Sequence, residues 1–510
     1  MQGRLPLVSF FAALVLAGCA SAPLDYPRQE STAVADTSAT FLAAESAAWM
    51  DGRTSTNGFY PLVEGLDAFG ARLSLMSEAE VSIDAQYFLM KPDSAGLVFV
   101  AGLVEAADRG VRVRLLLDDV FTSVDDKSFQ WLDLHPNIEV RIFNPISRKG
   151  VYTLNYLGNF SVANRRMHNK SFIADNQVAV VGGRNIAVEY FQLESEGEFL
   201  DFDMLAVGPV VHEVSTEFDL YWNDAFAVPM EAFYRDYSEQ EMDDISARLQ
   251  QAMADAGDGI YGAAMNTQLM IDFYAEKLRP YLAEAEVVYD DPQKLREKIS
   301  DEHKALANRM RELFDESAQE VIIFTPYFIP GKDGVEYLEG LIDRGVEVIV
   351  ITNSLATNNH TAVHSAYAGY RKDLLKAGVE LWEARANAAK IVTDDGDEVG
   401  PEHLTLHTKG VIVDRRIFFV GSLNFDPRSI DINTEMGVLI DSEPMVSEMA
   451  VNLSDEILRI AYRLELNDKN KIEWHAVING EEVVETKEPL TSGWRRFSAW
   501  FQKIVPESQL

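Results

Sequence analysis

Apolar and polar residues alternate along Val81–Met90 (VSIDAQYFLM), the two-residue period of a strand with one face in a core. A helical stretch follows, then Gly110–Asp119 (GVRVRLLLDD) as a buried strand and Ile138–Asn144 as another. Strands separated by helices predict an α/β fold with a parallel or mixed sheet. Periodic structure begins near Leu62. Before it, residues 19–58 are rich in Ala, Ser and Thr, which predicts a tether with one weak helix.

The second half repeats this plan. Val321–Pro330 (VIIFTPYFIP) echoes the first strand, aligning Tyr87-Phe88 with Tyr327-Phe328 at an offset of 240 residues. Arg109-Gly110-Val111 returns as Arg344-Gly345-Val346, and Ile138-Glu139-Val140 as Val379-Glu380-Leu381. Echoes sustained over a whole half mean duplication. Two lobes, residues 59–230 and 287–465, are therefore expected about a pseudo-two-fold axis with a site at their interface. Between them, residues 231–286 are acidic and helix-patterned and read as an insertion with a solvated face. Residues 466–510 form a tail. In it Lys471–Ile478 and Glu481–Thr486 flank Asn479-Gly480, the signature of a type I′ hairpin. Beyond the hairpin, Trp494, Phe497, Trp500, Phe501 and Ile504 share one helical face beside Arg and Lys. Such a segment either docks on its own domain or lies in a membrane interface.

Charge narrows the partners. The 510 residues hold 81 acidic against 45 basic side chains, a net −36, which repels phosphate backbones and argues against nucleic acid. The single cysteine, Cys19, rules out a disulfide framework and Cys-rich zinc sites. It follows one positive charge, Arg4, and an apolar run from Leu5 to Leu16, too short for the roughly 20 residues of a membrane span. Residues 1–18 read as a signal peptide. Leu16-Ala17-Gly18-Cys19 resembles a bacterial lipobox, which makes Cys19 a lipidation site; the plainer alternative is an ordinary signal with an incidental cysteine. The protein would then be anchored to a bacterial membrane facing the periplasm, with Ala20 favouring the outer membrane.

The chemistry sits in two strings. His168-Asn169-Lys170 runs on to Asp175 and Gly182-Gly183-Arg184-Asn185; His407-Thr408-Lys409 runs on to Asp414 and Gly421-Ser422-Leu423-Asn424. The histidines are 239 positions apart, in step with the duplication. His and Lys two apart on an extended chain share a face. Facing lobes would gather two imidazoles, two ammonium groups and two amides, a set suited to a phosphodiester. One neutral imidazole attacks phosphorus, the other protonates the leaving oxygen, and Lys and Asn stabilise the oxygen charge. With charge supplied by the lysines, no metal and no cofactor are expected. His360 and His364 have the i, i+4 spacing of a metal pair, but no Glu follows His360 and no third ligand is evident.

These duplicated HxK motifs resemble those of the phospholipase D superfamily, and the flanking strings are similar to those of bacterial cardiolipin synthases. The strings are Arg165-Arg166-Met167, Thr352-Asn353-Ser354-Leu355-Ala356, Phe425-Asp426-Pro427-Arg428-Ser429, Asn433-Thr434-Glu435-Met436-Gly437 and Lys487-Glu488-Pro489. The resemblance implies His168 as nucleophile and His407 as general acid and then base, with Lys170, Lys409, Asn185 and Asn424 on the phosphoryl oxygens. Asp175 and Asp414 would be structural. A later acidic residue orients each histidine: Glu435 in the second half, and Asp201, with Asp203 as fallback, in the first. Which carboxylate serves which histidine stays open at this point. Tyr87, Tyr327 and His364 are candidates for a headgroup pocket, with the core as the alternative for the tyrosines.

The implied activity is transfer of a phosphatidyl group through a phosphohistidine to phosphatidylglycerol. Its donor would be phosphatidylethanolamine or a second phosphatidylglycerol, and a helper protein is admitted. Hydrolysis to phosphatidic acid uses the same intermediate with water. A nuclease or other phosphodiesterase is opposed by the −36 charge, and a non-enzymatic scaffold by two complete motifs.

Overall fold

The computed structural model describes residues 22–149, 155, 160–193, 197–275, 277–388, 391–392, 398–399, 403–478, 480–502 and 507. Its first half contains β1 (Asn57–Leu62), β2 (Ser82–Tyr87), β3 (Arg112–Asp118), β4 (Ile138–Phe143), β5 (Ser171–Ala174), β6 (Val178–Gly182), β7 (Gly197–Leu200), β8 (Asp203–Val207) and β9 (Ala227–Pro229). Its second half begins with β10 (Tyr281–Tyr289), β11 (Glu320–Phe324), β12 (Glu347–Asn353), β13 (Glu380–Ala384), β14 (Ile391–Val392) and β15 (Glu398–Val399). There follow β16 (His403–Leu406), β17 (Gly410–Val413), β18 (Ile417–Gly421), β19 (Met436–Asp441), β20 (Ala461–Leu466), β21 (Ile472–Ile478) and β22 (Glu481–Glu485).

The strands lie in the order β9-β4-β3-β2-β5-β6-β8-β1 in one lobe. The other runs β10-β19-β18-β17-β11-β12-β13-β20-β21-β22. In each, three parallel strands meet antiparallel neighbours, as a mixed α/β sheet requires. The two sheets join where β1 and β10 pair antiparallel, Asn57 opposite Ala283 and Phe59 opposite Tyr281. The pseudo-two-fold axis therefore passes between β1 and β10. One apolar core spans the joint: Val210, Phe218 and Trp222 from helix Pro209–Trp222 share it with Met445 and Val446 from helix Glu443–Ile460.

Three sequence expectations change. The first-strand echo is two residues out of register. Ile83 of β2 faces Ala174 of β5, and its counterpart Val321 of β11 faces Val413 of β17, an offset of 238 rather than 240. A Tyr-Phe pair occurs at both places, but the buried member is Tyr87 in the first and Phe328 in the second, where β11 has already ended at Phe324.

The second change concerns the tether. Its described part is a strap fastened to the first lobe. Arg28 donates to the carbonyls of Asp224 (2.7 Å) and Ala227 (3.2 Å), Arg114 donates to Ser31 O (2.9 Å), Arg141 to Gln29 O (2.6 Å), and the Asp219 carboxylate accepts from Ala33 N (2.9 Å). An irregular segment whose backbone is satisfied by side chains of the lobe carries no apolar period, so the composition reads as a linker. Third, the insertion ends before Glu286. Tyr281–Tyr289 is a central strand whose Glu284 and Glu286 stand at alternate positions across from Asp441 and Leu439. The helix Glu239–Ala256 precedes it.

Ile472–Ile478 and Glu481–Glu485 pair as an antiparallel hairpin, with Gly480 at φ +82°. Asn479 lies outside the described residues, as do Cys19 and the apolar run before it. Among the described residues no helix is long and apolar enough to cross a membrane.

Candidate active site

Each motif enters the interface through the opposite lobe. The backbone N–H of His168 donates to Thr434 O (2.9 Å), and that of His407 donates to Leu200 O (2.7 Å). Met167 makes a parallel bridge with Thr434, while β16, ending one residue before His407, pairs parallel with β7. The next residue of each host segment is the acid. Glu435 Oε2 lies 2.8 Å from His168 Nδ1, and Asp201 Oδ2 lies 2.6 Å from His407 Nδ1. The dyads are crossed: each histidine is oriented by the other half of the chain. Asp203, the fallback, belongs elsewhere, accepting from Arg72 Nη2 at 2.8 Å in the buried interior.

Hydrogen bonding sets the tautomers. His168 Nδ1 faces two acceptors, Glu435 and the Ser422 carbonyl (3.1 Å), so it carries the hydrogen and Nε2 keeps its lone pair. At His407, Nδ1 lies 2.6 Å from Asp201 Oδ2 and 2.7 Å from Lys409 Nζ, which also donates to the His407 carbonyl. Lys170 likewise donates to His168 O (2.5 Å). Glu435 is held further by Ser422 Oγ–H (2.5 Å) and Ser429 Oγ–H (2.7 Å).

Asp175 and Asp414 point away from the imidazoles. The Asp175 carboxylate accepts from the N–H groups of Glu80, Val81 and Ser82 at the start of β2, and Asp414 from Ala318, Gln319 and Glu320 at the start of β11. Asn185 accepts from Leu89 N (3.2 Å) and donates to the Tyr190 hydroxyl (2.9 Å); Asn424 donates to Ser429 Oγ (3.3 Å), and its Oδ1 is buried without a partner.

Burial dominates the electrostatics. It pushes His168 down to about 4 and His407 to about 3, against the pull of Glu435 and Asp201, with the lysines adding to the fall. Burial and the neighbouring Lys409 bring Lys170 down to about 7; burial brings Lys409 to about 8, against Asp201 and Glu435. Burial would raise both carboxylates, but His168 and Lys170 outweigh it at Glu435, and Lys409 and His407 at Asp201, so both stay below the ordinary range. Near neutral pH the imidazoles are uncharged bases beside cationic lysines. With the imidazoles neutral, the two lysines are balanced by the two carboxylates, so the site is a neutral cluster of opposed charges inside an acidic protein. Among the described residues no three His, Cys, Asp or Glu side chains converge as a metal site.

The pocket candidates separate. Tyr87 is a core residue, wholly buried, its hydroxyl accepting from Arg72 Nε (3.0 Å) and its ring edge-on to Phe99. The next side chain, Phe88, takes the exposed face: its ring lies 4.7 Å from the His168 ring and 5.3 Å from Lys170 Nζ. Adjacent strand residues point to opposite faces, and the pair gave no sign of which was which. Tyr327 is half-buried, 5.4 Å from the His360 ring, with its hydroxyl on Asn359 (2.7 Å). His364 leaves the pocket: it is buried, with Nε2 3.1 Å from Arg371 Nη2, a cation that also opposes any metal there. His407 is packed by Phe199 (stacked, 5.2 Å) and Tyr190 (edge-on, 5.1 Å).

Two supporting residues escaped the sequence reading. Glu217 on helix Pro209–Trp222 accepts from Asn169 Nδ2 (2.7 Å), between His168 and Lys170; burial pushes its carboxyl up to about 8. Gly183 stands where a Cβ would lie 2.1 Å from Asp201 Oδ1. The Gly at that motif position was legible as a difference from Ser422, though its reason was not.

The family model described as "Cardiolipin synthase, PLD-like domain" matches residues 73–222 and 310–457. Cardiolipin synthase C of Escherichia coli (strain K12) is 38% identical over 451 residues, covering 88% of this chain and 95% of that protein. The major cardiolipin synthase of Bacillus subtilis (strain 168) is 26% identical over 408 residues, 79% of this chain and 70% of that one. The crystal structure of phosphatidylserine synthase from Haemophilus influenzae Rd KW20 superposes with TM-score 0.54 at 13% identity, covering 82% of this chain and 91% of that chain, and so shares the fold. The chain belongs to the cardiolipin synthase family of phospholipase D-like proteins.

Proposed function

From membership in that family we propose that this chain is a phosphatidyltransferase that moves a phosphatidyl group through a phosphohistidine to phosphatidylglycerol, forming cardiolipin. The observation that carries the reading is the pair of crossed dyads: two buried neutral imidazoles, each fixed by a carboxylate of the other lobe, beside two buried lysines.

His168 Nε2 attacks phosphorus, the P–O bond to the leaving alcohol breaks, and His407 gives that oxygen a proton. Lys170, Lys409, Asn185 and Asn424 hold the phosphoryl oxygens as charge develops. His407 must carry a second proton to act as acid. The anionic diester adds negative charge beside these groups, and so raises His407 and both lysines toward their charged forms. In the second half-reaction His407 takes the proton of the acceptor hydroxyl, whose oxygen displaces His168.

Cys19 is proposed as a lipid anchor that keeps the enzyme at a membrane; loss of metabolic labelling with radiolabelled fatty acid in Cys19→Ser tests it, and undiminished labelling refutes it. The reaction itself is tested in cells lacking other cardiolipin synthases, with labelled lipid separated by thin-layer chromatography. Cardiolipin is expected with the wild type and not with His168→Ala. Phosphatidic acid as the main product would replace transfer by hydrolysis. Turnover is expected to survive EDTA; strong metal dependence would contradict the two-histidine scheme.

A further inference from the structure

Helix Gly493–Gln502 (GWRRFSAWFQ) buries little of itself. Ala499 faces the protein, while Trp494, Phe497, Trp500 and Phe501 are 75, 51, 64 and 58% exposed. The rings of Trp494, Phe497 and Trp500 follow one another at 5.6 and 6.0 Å, forming a continuous aromatic ridge. Monomeric soluble surfaces rarely show such a patch unless something covers it. Its charge is also unlike the rest of the chain. Pro489–Phe501 contains Arg495 and Arg496 and no acidic residue, in a protein where acids outnumber bases 81 to 45.

The helix is fixed in place. Glu488, just before it, is held by Arg371 Nη1 (2.5 Å), and Arg371 is anchored in turn by buried Glu383 (2.6 Å). Arg495 donates to Asn358 O (2.7 Å). The segment ending at Asn358 is tied to the strand that carries the general acid: Thr405 Oγ1 donates to Thr357 O (2.9 Å), and Leu406 N donates to Asn353 Oδ1 (3.0 Å). His407 is the next residue. Asn359 receives the Tyr327 hydroxyl. On the other side, Phe121, 41% exposed, stands 4.8 Å from Phe88, which touches His168. Aromatic side chains therefore line the His168 side, and hydrogen bonds tie the ridge helix to the strand before His407.

We propose that the ridge of helix Gly493–Gln502 is a docking surface for an anionic phospholipid bilayer, seating the mouth of the site on the surface that holds its substrate. This rests on the phosphatidyltransferase reading above. Tryptophan and phenylalanine rings settle at the headgroup level, and the half-buried Arg496 beside them, whose Nη1 also holds Thr491 O (2.6 Å), meets anionic lipid. A second copy of the chain fits less well. Its ridge would bring the same two arginines against these, and one 10-residue helix falls short of the roughly 1,600 Å² of a standard interface.

The test uses the full chain in a Cys19→Ser background, so that no N-terminal lipid masks the effect, with and without Trp494→Ser, Phe497→Ser, Trp500→Ser and Phe501→Ser together. Co-sedimentation with phosphatidylglycerol vesicles is expected to weaken by about tenfold or more in the fourfold variant. Phosphatidylcholine vesicles should bind the parent about tenfold less than phosphatidylglycerol ones. Turnover of a short-chain phosphatidylglycerol below its micellar concentration should stay within about twofold, which shows the variant is folded. Equal vesicle binding by parent and variant overturns the proposal. So does a parent dimer, seen by light scattering, that the four substitutions dissociate. Should neither chain turn over the short-chain lipid while vesicle binding still depends on the ridge, the docking surface stands and the transferase reading falls.

Discussion

Glu435 and Asp201 touch no substrate; they act through the imidazoles, and their effect is set by what else holds them. Glu435 is fixed by Ser422 and Ser429 as well as His168, so Glu435→Gln leaves an amide in the same network but reverses the donor preference at His168 Nδ1. A wrong tautomer there removes the attacking lone pair, and kcat should fall by about 10²–10⁴ with little change in KM. Asp201→Asn acts on the other step. A substrate with a good leaving group should still label His168, and the label should persist, because His407 no longer takes the acceptor's proton. Rapid quench with labelled substrate separates the two. Equal loss of labelling in both variants would undo the assignment of His168 as nucleophile. The pH dependence follows from the same groups. Neutral His168 needs pH above about 4, and charged Lys170 and Lys409 need pH below about 7 and 8. As Lys170 and Lys409 lose their charge, kcat/KM is therefore expected to fall as pH rises through about 7 and 8.

The strands carry the histidines only because their ends are pinned. Asp175, buried, caps the three amides that open β2, whereas Asp414, half-buried, caps the equivalent three of β11. An unsatisfied buried amide costs about 1–3 kcal/mol, so Asp175→Ala should lower the unfolding free energy by several times the loss in Asp414→Ala. The kcat of the folded fraction should stay near wild type in both. Just past the end of β6, Gly183→Ala drives a Cβ into Asp201, 2.1 Å away, and should resemble Asp201→Asn in activity while also lowering stability by about 1–3 kcal/mol, the cost of overpacking a buried site. Chemical denaturation and steady-state kinetics measure both effects. The motifs and the duplication were legible in the sequence because each depends on local spacing repeated 239 residues apart. The crossing of the dyads was not. His168 reaches Thr434 through one backbone hydrogen bond across the interface, and nothing local to either residue marks it. That Tyr87 takes the core alternative while Phe88 lies beside His168 was hidden for another reason: a one-residue shift inverts a strand's faces, and both residues suit either face.

At the scale of the whole molecule, a chain of net −36 gathers two buried lysines at one point. Those lysines stand at about 7 and about 8 instead of 10.5. Between roughly pH 7 and 10.5 the unfolded chain therefore holds more protons than the folded one. Stability of the empty enzyme gains from these groups as pH rises through that window and is penalised below it. A bound oxyanion reverses the balance. It restores the lysine charges and removes the penalty where the penalty is largest, at and below neutral pH, and it finds little to bind once both lysines are neutral. Tungstate or inorganic phosphate should therefore raise the melting temperature most near pH 6–7, with the increment fading by about pH 10. Lys170→Met with Lys409→Met should abolish the increment at every pH and stabilise the empty protein at low pH. A constant increment from pH 6 to 10, or one that survives loss of both lysines, would place the anion elsewhere on the molecule and remove the electrostatic basis of the proposed site.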